Sequence, residues 1–266
     1  MLNIKAFILT VLIGYAIILI LIYLFQEKMI FYPGKLPQDY KYNLSNIDQE
    51  VFIKCTDGVE ISGVLYDNNG SKVILYFHGN AGDLSTWQYV SGDFKRMGVD
   101  LLIVDYRGYG KSSGNLSESG LYQDALSSYN FLKDHGYASK DIIIYGRSLG
   151  TGVASKLAAQ RDHAALILET PYSSFVKLAN EKMPFVFPGL LLRYRFDNIS
   201  NLKSVQSPTL FIHGDRDELI PESHSRRLFK AANELKDLLI IENGHHNDLS
   251  TFPIFEEKLR SFIINL

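Results

Sequence analysis

The chain has 266 residues, 46% of them hydrophobic and 21% charged, with a formal net charge of −2. That length and apolar content suit one large α/β domain with a proper core. A near-neutral chain with no dense Lys/Arg block lacks the electrostatic footprint for a polyanion, so nucleic acid is not an expected partner; the single cysteine, Cys55, excludes an internal disulfide and reads as a small buried thiol in an apolar run.

From Ala6 to Phe25 every residue is apolar, small or aromatic apart from Thr10, and none is charged. About 20 helical residues reach roughly 30 Å, the thickness of a bilayer's hydrocarbon core, so this stretch predicts a membrane span through residues 6–25. A cleaved signal peptide would have a shorter apolar region and a small-x-small site, neither visible near Phe25-Gln26-Glu27-Lys28. Residues 1–28 therefore read as an uncleaved anchor, and 29–266 as the globular domain. Lys5 on one side faces Lys28 and Lys35 on the other, nearly a tie under the positive-inside rule, which leaves the side of the membrane open.

Phe31 and Tyr32, before the Pro33-Gly34 turn signal, suit either the membrane interface or the domain surface. Glu50 to Cys55 and Val59 to Tyr66, joined by Asp57-Gly58, predict a hairpin. Short apolar runs then alternate with helical stretches: Val73–Phe77, Leu101–Val104, Ile142–Tyr145, Ala165–Leu168, Thr209–Ile212 and Leu238–Ile241 as strands buried on both faces. Helices are expected around 84–97, 117–135, 149–160, 222–235 and 252–264. Strand-helix alternation implies a mostly parallel sheet of about eight strands with helices on both faces. The stretch 171–205 breaks the rhythm with the apolar segment Met183 to Leu192. It reads as a small lid over an acyl pocket or against the membrane, or else as a core-packing helix between two prolines.

Gly146-Arg147-Ser148-Leu149-Gly150 follows a strand and precedes a helix rich in small residues, the setting of a nucleophile elbow. A serine hydroxyl is a poor nucleophile until a base takes its proton and a third group orients that base. Both partners should follow later strands, because ligands gather at the carboxyl ends of a doubly wound sheet. His213-Gly214-Asp215-Arg216-Asp217 and Gly244-His245-His246-Asn247-Asp248 sit there, in the chain order Ser, Asp, His. Oxyanion donors are expected from the N–H groups of Leu149, directly after the serine, and of Asn80 in the loop His78 to Gly82. His78 reads as a group that holds this loop, and Arg107 as the partner of a carboxylate. His224 and Asp248 read as loop or surface groups. No metal-binding spacing and no nucleotide-binding loop is present, so neither metal nor cofactor is expected.

These motifs together, HGNAG at His78, DYRGYGKSSG at Asp105, GRSLG at Gly146, HGDRDELIP at His213 and GHHND at Gly244, resemble the α/β-hydrolase superfamily. More closely, the chain is similar to its membrane-anchored Bem46/ABHD13/ABHD17-like branch, in which an N-terminal span precedes an FQ…FYP segment, here Phe25-Gln26 and Phe31-Tyr32-Pro33. The resemblance implies a serine hydrolase of carboxylic esters or thioesters and leaves the substrate unspecified; the apolar stretch 171–205 and the span add a lipid-like acyl substrate as an expectation. One animal subgroup removes palmitoyl groups from proteins, a substrate nothing here supports. It also implies Asp217 as the acid, with Asp215 as runner-up, and His246 as the base, because in relatives that histidine directly precedes Asn-Asp. His245 stands where glycine is common and keeps the second histidine in play. An aminopeptidase-like amidase, or a non-catalytic tethered binding protein, are the rival readings.

Overall fold

The computed structural model describes residues 3–266; the first two residues of the expected anchor lie outside the described residues. Helix α1 (Ile4–Ile30) is unbroken, begins at an Asn3 cap and is long and apolar enough to cross a membrane. The hairpin forms as β1 (Gln49–Lys54) and β2 (Glu60–Tyr66), and β3 (Val73–Phe77) opens the alternating part. Then come α2 (Leu84–Trp87), α3 (Ser91–Met97), β4 (Asp100–Val104), α4 (Glu118–Asp134), β5 (Ile142–Arg147), α5 (Gly150–Ala158) and β6 (Ala165–Glu169). The stretch 171–205 holds α6 (Phe175–Lys182), α7 (Pro188–Leu191) and α8 (Asn198–Leu202), and the chain closes with β7 (Thr209–Gly214), α9 (Ser223–Ala231), β8 (Lys236–Ile241) and α10 (Pro253–Ile264).

All eight strands join one sheet in the order β8-β7-β6-β5-β3-β4-β2-β1, parallel except for the pairings β1–β2 and β2–β4. This is the α/β-hydrolase fold. Successive residues of a strand face opposite sides, and the apolar runs use this: Val73, Leu75 and Phe77 pack with Leu121, Val153 and Leu228 from α4, α5 and α9. Ile74 and Tyr76 pack on the other side with Phe94, Phe255 and Leu259 from α3 and α10. A sheet buried on both faces can direct its chemistry only to its edges.

Several expected boundaries shift for identifiable reasons. Strand β4 starts one residue before its apolar run, because the Asp100 carboxylate caps the Asn68 and Gly70 N–H groups at 2.7 and 3.0 Å. The helix expected over 84–97 is interrupted by a 3₁₀ turn at Gln88–Val90, where Trp87 and Tyr89 stack at 6.1 Å. The helix expected over 222–235 stops at Ala231, since Ala232 is extended and the Asn233 amide instead bonds the Val205 carbonyl. An unanticipated two-residue parallel pair, Tyr32–Pro33 with Ala81–Gly82, ties the segment leaving α1 to the loop after β3.

The segment 171–205 forms three short helices rather than one core-packing helix: Tyr194, Phe196 and Leu202 join the core, whereas Phe185 is 80% and Leu190 85% exposed. Its inner side rests on α1. Gln26, the one buried residue of α1, donates to the Leu191 carbonyl at 3.0 Å and accepts from Arg193 N at 2.8 Å. Phe31 divides from its neighbour, buried edge-on against Tyr194 at 4.7 Å while Tyr32 stays exposed.

Candidate active site

Ser148 occupies the turn between β5 and α5 at φ 50°, a left-handed conformation that non-glycine residues rarely adopt. Packing leaves the chain no alternative. A Cβ at Gly146 would lie 2.5 Å from the Gly150 carbonyl oxygen, and one at Gly150 would lie 2.0 Å from the Phe77 carbonyl oxygen. The two glycines let α5 sit directly on β3 and β5, which pushes the serine outward at the sheet's carboxyl edge.

Asp217 and His246 arrive from the loops after β7 and β8. His246 Nε2 is 3.0 Å from Ser148 Oγ, and His246 Nδ1 is 2.6 Å from Asp217 Oδ2. These contacts assign the proton on Nδ1 and leave Nε2 free to accept. Asp217 is buried, and burial by itself would raise its pKa. Hydrogen bonds from His213 and His246, the charge of His246 and the Ile220 N–H outweigh burial and hold the carboxyl well below the usual carboxylate range. Its other oxygen accepts from Leu219 N and Ile220 N at 2.9 and 2.8 Å, fixing its direction.

The alternatives lie apart from this chain of contacts. Asp215 caps Asn243 N at 2.7 Å, and exposed His245 meets exposed Glu218 at 3.1 Å. Asp248 shapes the loop by accepting from His245 N at 2.7 Å. His224, expected at the surface or in a loop, is instead fully buried in α9. Its Nδ1 accepts from Ser173 N at 3.0 Å and its Nε2 meets Glu181 of α6 at 2.9 Å, so it fastens α6 to α9.

Beneath the site, the loop from His78 is held from below. His78 Nδ1 bonds the Gly79 carbonyl at 2.7 Å, Tyr106 donates to the His78 carbonyl at 2.6 Å, and Tyr109 donates to Asn80 Oδ1 at 3.1 Å. Asp105 accepts from Leu84 N at 3.1 Å, and burial lifts its carboxyl above the ordinary range against the pull of His78. Arg107 pairs with Asp124 and Asp57, each at 2.8 Å. The DYRGYG segment is therefore the scaffold of the loop bearing Asn80. Among the described residues, neither Asn80 N nor Leu149 N donates to a protein acceptor, and both residues line the cleft with Ser148 and His246. That cleft encloses about 340 Å³, with Trp87, Tyr172, Phe175 and Ile30 among its apolar walls.

Three contributors carry no signal that the motifs alone announce. His213 adds a second imidazole to Asp217 at 3.2 Å; its place at the end of β7, four residues before the acid, was the available clue. Arg147, buried with Glu169 at 3.2 Å, reaches Asn247 Oδ1 at 3.3 Å and so ties the elbow to the histidine loop. Ile30 comes from the end of α1, which nothing in its local sequence connects to Ser148.

Comparison with known proteins agrees with this architecture. The alpha/beta hydrolase fold family matches residues 72–206. An uncharacterized protein of Mycobacterium tuberculosis is 31% identical over 227 residues, 84% of this chain and 81% of that protein. Human alpha/beta hydrolase domain-containing protein 17B is 34% identical over 200 residues, 73% of this chain and 67% of that protein. Among solved structures, an esterase of Pyrococcus furiosus superposes with a TM-score of 0.73 at 20% identity, covering 89% of this chain and 97% of the esterase, a likeness of fold.

Proposed function

Because this chain belongs to the α/β-hydrolase superfamily, in its Bem46-like, ABHD17-related branch, we propose that it is a serine hydrolase that cleaves carboxylic esters or thioesters at a membrane surface. The observation that carries the reading is the continuous line from Asp217 through His246 to the strained Ser148, at 2.6 and 3.0 Å. Ser148 Oγ attacks the acyl carbonyl carbon while His246 Nε2 takes its proton. Asp217 keeps the ring in the accepting tautomer and offsets the imidazolium charge. The N–H groups of Asn80 and Leu149 receive the oxyanion, and preorganised donors of this kind are worth about 3 to 4 kcal/mol each. Collapse breaks the C–O or C–S bond as His246 protonates the leaving group. Water, deprotonated by the same ring, then attacks the acyl-serine, releases the acid and returns the proton to Ser148.

The cleft lining contains no Asp or Glu that would hold a substrate's free amine, which favours esters over an aminopeptidase-like reaction. The apolar α1, with the exposed lid residues beside it, supports action at a bilayer. A fluorophosphonate probe should label the native protein and fail on Ser148→Ala. Equal labelling of both would remove Ser148 as the nucleophile.

A further inference from the structure

Beside the Ser148 cleft lies a second cavity of about 290 Å³, and the two share Ile30, Asn80, Phe175 and Leu178. One wall is the end of α1, with Ile22 and Met29; the other is the inner side of the lid, with Ala179 and Val186. Four polar side chains also border it, and each is engaged elsewhere. Gln26 bonds Leu191 and Arg193, Lys182 donates to the Glu218 carbonyl at 2.9 Å, and Tyr32 donates to the Met29 carbonyl at 3.0 Å. Asn80 donates to the Ile30 carbonyl and accepts from Tyr109. Each of these four has a protein partner and the rest of the lining is apolar, so the fitting occupant is a hydrocarbon chain.

Its position relative to the apolar stretch of α1 says where such a chain comes from. Ile22 lies inside the uncharged run and Ile30 beyond it, a rise of about 12 Å along the helix. Farther down, the Tyr15 hydroxyl donates to the Phe185 carbonyl, which sets the lid tip with its exposed Phe185 and Leu190 beside the middle of the same run. In a bilayer, the cavity would begin at hydrocarbon depth and adjoin the Ser148 cleft.

We infer that this cavity is the acyl-tail site for an ester resident in the bilayer, with the membrane helix itself as one wall of the active site. The inference rests on the reading of Ser148 as an acyl-accepting nucleophile and of α1 as a span. The tail slides sideways from the hydrocarbon between α1 and the lid, and only the ester group rises to the serine. If a methylene fills the ~30 Å³ that a water molecule occupies in the liquid, the cavity holds on the order of ten carbons. The Asn80 contacts with Ile30 and Tyr109 also hold the loop for the oxyanion against the end of α1, so the helix positions both ends of the substrate.

The test uses the full chain in lipid nanodiscs with p-nitrophenyl acetate and p-nitrophenyl dodecanoate. The native protein should prefer the dodecanoyl ester in kcat/KM, and Ala179→Trp and Val186→Trp, which fill the cavity, should each lower the dodecanoyl-to-acetyl ratio at least tenfold. A ratio within twofold of native in both folded variants overturns the inference. A second measurement is independent of catalysis: a diazirine-bearing fatty acid photolysed with Ser148→Ala should label Met29 and the 175–192 segment, and Ala179→Trp should suppress that label. Label confined to outward residues such as Leu12 and Ile13 overturns the tail site. Cavity labelling by a protein that hydrolyses neither ester upholds the site and overturns the Ser148 reading instead.

Discussion

Replacing Asp217 by asparagine isolates the electrostatic part of the proposed chemistry. Asp217 Oδ1 is committed to the Leu219 and Ile220 N–H groups, so an asparagine keeps its carbonyl there and turns its NH₂ toward the site of Oδ2. Two ring N–H donors already point at that spot, His246 Nδ1 and His213 Nε2. His213 has little room to change, since its Nε2 also meets the Ile220 carbonyl at 2.8 Å and its Nδ1 meets Ser225 at 2.7 Å. His246 must therefore yield, either losing its orienting bond or moving its proton to Nε2, where it can no longer accept from Ser148. The lost charge adds to this. A carboxylate and an imidazolium about 4 Å apart attract by about 4 kcal/mol at an effective dielectric of ~20, roughly three powers of ten in rate. Asp217→Asn should lower kcat/KM for p-nitrophenyl butyrate about a thousandfold, whereas Asp215→Asn, which alters only a cap on Asn243, should stay within about threefold. An Asp217→Asn enzyme within tenfold of native, or an equally damaged Asp215→Asn, would refute the assignment. The same carboxyl also makes a pH prediction. Its folded pKa lies below the unfolded value of about 3.9, so its stabilising effect is complete above that pH and fades as pH falls through the folded value. The urea-unfolding gap between native and Asp217→Asn should be flat from pH 8 to 5 and shrink below about pH 4.

Gly150→Ala should abolish both soluble expression and fluorophosphonate labelling, because its methyl would meet the backbone of Phe77 at 2.0 Å; Gly189→Ala, with nothing nearer than 4.0 Å, should be tolerated in the same assays. Arg147→Met leaves Glu169 buried without its counter-ion and should cost about 3 to 5 kcal/mol in urea unfolding; a loss under 1 kcal/mol would show the pair to be dispensable. Burial lowers the His224 pKa, a trend only partly offset by Glu181. Its stabilising effect is therefore complete above the unfolded value of about 6.5 and lost as pH falls below it. The melting temperature should drop less between pH 7.5 and 5.5 in His224→Gln than in the native protein, and equal drops would refute the role given to His224.

What the sequence made legible follows from how local each signal is. The elbow reads plainly because its constraints lie within five residues: the glycines at 146 and 150 answer to contacts with the adjoining strand and helix, and the strand before them is apolar throughout. The strand runs were equally visible, since burial on both faces removes polar interruptions and leaves Val73 to Phe77 or Ile142 to Tyr145 without ambiguity. Helix ends were less so, because they turn on single contacts such as Asn233 with the Val205 carbonyl. The choices between Asp215 and Asp217, and between His245 and His246, were not available from residue chemistry at all. Neighbours in sequence carry identical groups, and only the direction of a loop distinguishes an exposed cap from a buried acceptor. His224 shows the opposite failure: a histidine among Ser, Arg and Glu reads as surface, yet Ser173 and Glu181 satisfy both of its ring nitrogens inside the fold.

The contact between α1 and the segment around Leu191 was the least legible feature. An apolar helix with no charge gives no sequence signal for any particular partner, because every face of it is equally suited to lipid. Gln26 is the exception, a polar side chain just past the apolar run, and its amide binds the lid backbone on both sides. Such a residue has reason to be buried only if protein covers it. The same logic applies to Asn80, whose side chain donates to the Ile30 carbonyl at the end of α1 while the residue also lines the cleft. Two amides therefore join α1 to the segment around Leu191 and to the loop after β3, so on the reading proposed above detaching the helix would remove one wall of the tail cavity and one support of the Asn80 loop together.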